Sequence, residues 1–282
     1  MFVYLNGTWR DAQAASIPID DRGFLFADGV FETARLVNGR CFRFEQHLER
    51  LAQSAAQLRL PTPEPDALRQ IFREIAERNS LTDGSVRITI TRGSGGRGLD
   101  TAGAGPPTVL VTISPLAADW RERAARGWHL ITAATRRPAP NSVPAQLKAL
   151  GRVYSILAHL EAEAAGADDA LLLTADGHVA EGPTWNFFWR KGKRLRTGAL
   201  EGGILEGVTR SILLHLARGL GYETEQGLWP PDDLHDADEA FASMTSVGVV
   251  PIRSLDGRAF PSDDCARVLQ FKYWQFVEAE LA

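Results

Sequence analysis

Lys148, in the stretch Gln146-Leu147-Lys148-Ala149-Leu150-Gly151-Arg152-Val153-Tyr154, is an amine set among apolar neighbours. A lysine beside an apolar helix is ordinarily a solvated charge on a flexible stem. Partial burial against Leu147 and Leu150 would lower its pKa and make it a nucleophile or a general acid and base. Other residue types along the chain can serve such an amine. Glu181 heads Glu181-Gly182-Pro183-Thr184-Trp185-Asn186-Phe187-Phe188. Taken alone, an acid at a strand end caps a turn, because acids are rarely buried. Arg50, in His47-Leu48-Glu49-Arg50-Leu51, has the fork that grips an oxyanion in bidentate fashion, although an arginine on a helix face is usually solvated.

Gly207, Val208 and Thr209 open an apolar helix, and free backbone amides at a helix start bind anions without a cationic side chain. The same Gly-x-Thr also reads as a plain N-cap. Thr245 and Ser246 offer hydroxyls to an anion or to a turn. Arg97 lies in Thr91-Arg92-Gly93-Ser94-Gly95-Gly96-Arg97-Gly98, where the glycines leave the backbone loose enough to carry a guanidinium over a ligand. The alternatives are a flexible hairpin tip or a surface ion pair worth under about 1 kcal/mol. Phe31 and Arg35, at alternating positions of one strand, share a face and line either a pocket or a sheet.

The elements that must position these groups follow from periodicity. Phe2 to Trp9 and Val30 to Arg43 alternate as antiparallel strands around hairpin turns at Asn6-Gly7 and Asn38-Gly39. Phe44, Leu48, Leu51, Ala55 and Leu58 are spaced as one buried helix face carrying His47 and Arg50 one turn apart. Pro65 to Asn79 reads as a second amphipathic helix, and Val86 to Arg92 and Thr108 to Ser114 as strands flanking the glycine-rich stretch. These elements make a small α/β domain over residues 1–116. Residues 117–127, rich in alanine and charge, are expected to be a linker, and residues 128–282 a larger domain. In that domain Trp128 to Ala133, Ala170 to Thr174, His178 to Ala180, Asn186 to Arg190 and Phe241 to Pro251 read as strands. Lys148 to Ala165, Val208 to Leu220 and Gln270 to Leu281 read as helices, the first beginning at the lysine.

A chain of 282 residues supports one large core or two modest ones. A net charge of −4, spread along the chain, offers no basic stripe for nucleic acid. Cys41 and Cys265 have no metal-binding spacing and fit a reducing compartment, and no membrane partner is expected because no apolar run approaches a spanning length. With no secretory start, a cytoplasmic location is expected.

The order of these segments, together with Asp21-Arg22-Gly23-Phe24-Leu25-Phe26-Ala27-Asp28-Gly29-Val30-Phe31-Glu32 and Ser243-Met244-Thr245-Ser246-Val247-Gly248-Val249-Val250-Pro251-Ile252, resembles the fold-type IV pyridoxal 5′-phosphate enzymes. That group holds branched-chain aminotransferases, D-amino-acid aminotransferases and aminodeoxychorismate lyases, and the resemblance spans nearly the whole chain. It implies a two-domain α/β (α+β) fold with a β-barrel-like core in the larger domain. It also implies a homodimer with the site at domain and subunit boundaries, and no metal. Pyridoxal phosphate requires an amine to join, an acid at its ring nitrogen and an anion site for its phosphate. The resemblance makes Lys148 the Schiff-base lysine and proton carrier, Glu181 the partner of the ring nitrogen, and Arg50 a phosphate ligand. Gly207, Val208, Thr209, Thr245 and Ser246 complete the phosphate cup, and Asn186-Phe187-Phe188 matches the family's Asn-x-Phe. Trp185 departs from the small residue usual there.

For the substrate, Arg97 falls where D-amino-acid aminotransferases hold an arginine for the carboxylate, although its glycine-rich surroundings resemble the lyases. Leu99-Asp100 is more like the branched-chain members. Phe31 and Arg35 are expected along the pocket. Glu32 is similar to the aminotransferases, whereas the lyases often carry threonine. Val153 stands where a tyrosine is common in branched-chain enzymes, and Gly151 replaces a frequent asparagine. The implied activity is ping-pong transfer of an amino group between an amino acid, of D or branched-chain type, and a 2-oxo acid. The alternative is a lyase releasing 4-aminobenzoate and pyruvate.

Overall fold

The computed structural model describes residues 1–142 and 146–282. The chain forms two compact units. The first comprises Met1–Leu116 with Leu147–Gly151 and Leu281, and the second Ala117–Gln146, Arg152–Glu280 and Ala282.

The first unit contains β1 (Phe2–Leu5), β2 (Thr8–Asp11), α1 (Arg22–Phe26), β3 (Gly29–Val37), β4 (Arg40–Cys41), α2 (Phe44–Gln57), α3 (Pro65–Arg78), β5 (Gly84–Thr91) and β6 (Thr108–Ser114). Its strands form one antiparallel sheet in the order β2-β1-β6-β5-β3-β4. The Asn6-Gly7 and Asn38-Gly39 turns have positive φ at both residues, 48° and 88°, then 50° and 76°, the geometry that lets a two-residue loop follow the strand twist. Val86, Ile88 and Ile90 alternate inward along β5 and meet Leu51 and Ala55 of α2 and Leu68, Ile71 and Ile75 of α3. Each such branched side chain is worth roughly 1.5–3 kcal/mol on full burial.

The helix expected from Lys148 begins instead at Val153. Residues 148–150 are extended and pair with the start of β3. The Phe31 N–H donates to the Lys148 carbonyl at 3.0 Å and the Leu150 N–H to the Gly29 carbonyl at 3.1 Å. Those main-chain bonds compete with helix formation and win up to Gly151.

The second unit contains α4 (Trp120–Arg126), β7 (Trp128–Arg136), α5 (Val153–Ala164), β8 (Asp169–Leu173), β9 (Asn186–Lys191), β10 (Arg194–Gly198), α6 (Val208–Gly219), β11 (Glu223–Gly227), β12 (Glu239–Met244), β13 (Gly248–Leu255), β14 (Arg258–Ala259) and α7 (Asp264–Leu281). Its mixed sheet runs β11-β10-β9-β12-β13-β7-β8, with β14 on β13, and curls into a half-barrel. The expected linker is part of this unit, because Trp120 and Ala124, four residues apart, turn one face of α4 inward. The strand expected at His178 to Ala180 is reduced to a single bridge between Leu173 and Val179. Along β9, Phe187 and Trp189 pack on one face, and Phe188 stacks on Phe241 at 5.0 Å on the other. Among the described residues, no helix is long and apolar enough to cross a membrane.

Candidate active site

Every second residue of β3 faces the helices, so Glu32 shares the core side with Val30, Ala34 and Leu36 and is 2% exposed. A carboxylate in such a place must be paired. α2 supplies the partners, since His47 and Arg50 lie one turn apart on its buried face. Arg50 donates from Nε to Glu32 Oε1 at 2.6 Å and from Nη2 to Oε2 at 3.0 Å. His47 Nδ1 lies 2.9 Å from Oε2, and the Thr33 N–H donates to it at 3.1 Å.

The Lys148 Nζ lies 4.9 Å from the centre of the Phe31 ring, which shares the other face of β3 with Arg35, and its main-chain N–H donates to Ser54 Oγ at 3.3 Å; its positive charge also lowers the Glu32 pKa. Burial alone would raise the Glu32 pKa, but Arg50, then Lys148 and His47, hold it well below the carboxylate range. Burial also keeps His47 below its ordinary value, outweighing the pull of Glu32.

Both shifts make the fold acid-labile with the same sign. His47 is neutral in the folded chain while the unfolded chain takes up a proton below 6.5. Glu32 stays ionised while its unfolded form protonates below 4.5. Stability is thus full above 6.5, declines first as pH falls through the histidine range and again below 4.5. Denaturant melts from pH 8 to 4 should show both stages. Glu32→Gln should flatten the second, and a wild-type profile level from pH 7 to 4 would contradict the assignment.

In the second unit Glu181 is 4% exposed and receives three donors. Arg137, at the end of β7, donates from Nη1 to Oε1, and from Nη2 to the Gly203 carbonyl at 2.6 Å. Asn186 Nδ2 donates to Glu181 Oε2 at 2.8 Å, and the Leu205 N–H donates to the same oxygen at 3.0 Å. A second arginine feels this carboxylate: burial lowers the Arg210 pKa, and Glu181 and Glu206 oppose that. Two steps further along the chain from Leu205, Gly207 caps α6. No side chain caps this helix, and no acid stands in its first turn, so its leading amides face outward beside a positive dipole end.

Asn186 ties these parts together. The amide that holds Glu181 also has its Oδ1 in the place where a side chain at residue 207 would begin. A Cβ there would have to displace the Asn186 amide. Thr209 is buried in the first turn, and Thr245 and Ser246 form the half-buried turn between β12 and β13, the former of which α6 packs against.

The substrate residues are distributed differently. Arg35 is not a pocket residue. It is 1% exposed, and its guanidinium serves the sheet, with Nη1 donating to the carbonyls of Leu36 at 2.5 Å and Gly84 at 2.7 Å and Nη2 meeting Asp83 at 2.6 Å. Phe31, on the same face, carries the Arg87 guanidinium at 3.8 Å as well as the Lys148 amine. Arg97 and Leu99 lie on a surface loop, Leu99 82% exposed, clamped where Arg22 Nη1 donates to the carbonyls of Gly98 at 2.9 Å and Asp100 at 3.0 Å.

Sequence reasoning misses Arg137 and the structural part played by Glu32 and His47. Glu32 reads from sequence only as a subgroup marker. Arg137 ends a strand in Arg136-Arg137-Pro138, a pattern indistinguishable from a solvated strand end.

Residues 29–255 match the family model described as amino-transferase class IV. The chain belongs to the class IV aminotransferases. A putative branched-chain-amino-acid aminotransferase of Methanocaldococcus jannaschii is 34% identical over 92% of this chain and 89% of its own. A D-alanine aminotransferase of Bacillus licheniformis is 30% identical over 93% and 91%, and an aminodeoxychorismate lyase of Bacillus subtilis 30% over 90% and 86%. The T.th. branched-chain amino acid aminotransferase, solved with pyridoxamine 5′-phosphate, superposes with a TM-score of 0.92 at 30% identity, covering 98% of this chain and 93% of that one. The mixed α/β architecture is that of fold-type IV aminotransferases, whose cofactor is pyridoxal 5′-phosphate. The residues of this class IV chain suit such a group. The first unit offers the Lys148 amine over the Phe31 ring and the Arg50 guanidinium; the second offers a buried carboxylate, Glu181, held by Arg137, Asn186 and the Leu205 N–H, and a helix start with no side-chain cap where a Cβ at residue 207 would meet Asn186.

Proposed function

We propose that this class IV aminotransferase moves an amino group between an amino acid, of D or branched-chain type, and a 2-oxo acid by a two-stage ping-pong cycle. The single observation that carries the reading is Glu32, buried and ion-paired with Arg50 beside His47. The lyases often have threonine at this position, and threonine would leave Arg50 and His47 without their anion.

When bound, pyridoxal phosphate supplies an aldehyde to accept the amino group and a ring to accept electrons. Lys148 would hold the aldehyde carbon of the group, and its amine, when free, would carry a proton to and from the substrate Cα. Glu181, held by Arg137 and Asn186, would keep the ring nitrogen protonated. In the second unit the amides of Val208 and Thr209 and the hydroxyls of Thr209, Thr245 and Ser246 would be offered to the phosphate, with Gly207 leaving room for it, and in the first unit the Arg50 guanidinium would serve the same anion.

We infer a cytoplasmic homodimer. α5 presents Val153, Ile156, Leu157 and Leu160 to water at 66%, 59%, 46% and 50% exposure, an apolar stripe of the kind a second copy covers. Arg97 and Leu99 stand on an exposed loop, so their contact with the substrate carboxylate and side chain belongs with that assembly.

The test is a half-reaction screen with paired D- and L-amino acids, following the cofactor band. Conversion by one donor class supports transfer. Release of 4-aminobenzoate without an oxo acid would instead establish the lyase. Gly207→Ala provides a local check: the Cβ must displace Asn186, so pyridoxal phosphate should bind at least tenfold more weakly by equilibrium dialysis, a loss of about 1.4 kcal/mol or more. Unchanged affinity would remove α6 from the phosphate site.

A further inference from the structure

We propose that Ser243 is a further residue of the anion site at the start of α6, its hydroxyl donating, directly or across one water, to the phosphate bound there. The inference rests on the reading of that helix start as the phosphate site and deepens it with a residue from the neighbouring sheet.

Ser243 is 1% exposed, and its Oγ is enclosed without a hydrogen-bond partner among the described residues. A hydroxyl taken out of water and left unpaired costs free energy, so nearly all buried polar atoms in folded chains are paired. β12 meets that requirement elsewhere. Glu239, on the same face of the strand and also buried, accepts from Arg190 Nε and from the Cys265 and Ala266 N–H groups at 3.0 and 3.2 Å. Only at Ser243 does this face of the strand leave a buried polar side chain unanswered.

Strand register sets the side to which the serine projects. β12 pairs antiparallel with β9 so that Phe241 stands opposite Phe188 and Ser243 opposite Asn186. Residues directly opposite one another project to the same side, with Cβ atoms about 4.5–5.5 Å apart. The Phe188–Phe241 stack marks that side, whereas Phe187, Trp189, Ala240 and Ala242 form the core on the other. Ser243 therefore projects beside Asn186, whose side chain reaches the entry of α6: Nδ2 donates to the Leu205 carbonyl at 2.9 Å, and Oδ1 fills the place of a Cβ at Gly207. Both Nδ2 hydrogens are committed, one to Leu205 and one to Glu181. On the opposite flank Ser243 pairs with Val249, whose side chain is apolar. The hydroxyl is thus a donor without an acceptor, next to the residue that borders a helix start with no side-chain cap. An anion at the leading amides of α6 brings the missing acceptor.

A hydroxyl kept for a ligand has opposite effects in the empty and the filled protein. In the empty chain it is a liability, so Ser243→Ala should melt at the wild-type temperature or up to a few degrees above it. In the filled chain the same change removes a bond to a charged group. The experiment uses the full-length chain stripped of cofactor, with pyridoxamine 5′-phosphate and pyridoxamine as probes, neither of which needs an imine at residue 148. Equilibrium dialysis should find pyridoxamine 5′-phosphate bound at least about tenfold more weakly by Ser243→Ala than by wild type, and pyridoxamine bound equally by both. Equal affinity of the two proteins for pyridoxamine 5′-phosphate overturns the proposal. So does an equal loss of affinity for both probes, or a melting temperature lowered by more than a few degrees, since either makes the hydroxyl part of the scaffold. The parent reading fails separately: a wild-type chain that binds pyridoxamine 5′-phosphate no better than pyridoxamine has no phosphate site at α6, whereas a phosphate preference that Ser243→Ala retains in full refutes only the serine.

Discussion

Replacing Lys148 with alanine should remove the visible imine absorbance of the cofactor-loaded protein and slow amino-group transfer by about 10³- to 10⁴-fold, the usual worth of a covalent and proton-carrying side chain. The fold should survive. The contribution of residue 148 to the first unit is main-chain pairing, its carbonyl accepting from Phe31 and its N–H donating to Ser54, and alanine keeps both. Glu32 loses one of the positive charges around it but retains Arg50 and His47 at hydrogen-bond distance. The variant should therefore melt within a few degrees of wild type while its spectrum matches free pyridoxal phosphate. Partial recovery of proton transfer on adding a small primary amine would tie the loss to the missing nitrogen. An imine band that persists in the variant would place the reactive amine elsewhere.

Glu181→Gln should cost both stability and turnover. The exchange is nearly isosteric, but it leaves the Arg137 guanidinium buried without its anion. It also turns one carboxylate oxygen into an N–H₂ group facing other donors, either Arg137 or the Asn186 amide and the Leu205 N–H. Breaking one side of a buried ion pair typically costs about 3–5 kcal/mol, which for a chain of this size lowers Tm by roughly 10 °C. Transfer should fall by at least about 10²-fold, because a neutral amide cannot hold a proton on the ring nitrogen. Calorimetry and single-turnover kinetics on one preparation separate the two losses. A variant with normal Tm and normal transfer would remove Glu181 from the site.

Much of this arrangement is legible in the sequence because its signals are local. The two-residue turns at Asn6-Gly7 and Asn38-Gly39, the alternation of Val86, Ile88 and Ile90, and the 3.6-residue spacing of α2 depend only on neighbours in the chain. The start of α5 is not legible in this way, because residues 148–150 have good helix propensity and what overrides it is a strand more than a hundred residues earlier. Arg35 has the right type and face for a pocket residue. Its commitment to Gly84 and Asp83 depends on strand register, which spacing within β3 does not encode. Arg137 is hidden for a related reason, since its partner lies forty-four positions downstream on another segment.

The amide of Asn186 has a consequence for how this enzyme can diverge. Because one side chain both steadies Glu181 and borders the start of α6, a substitution at either place is felt at the other, and the two can change only together.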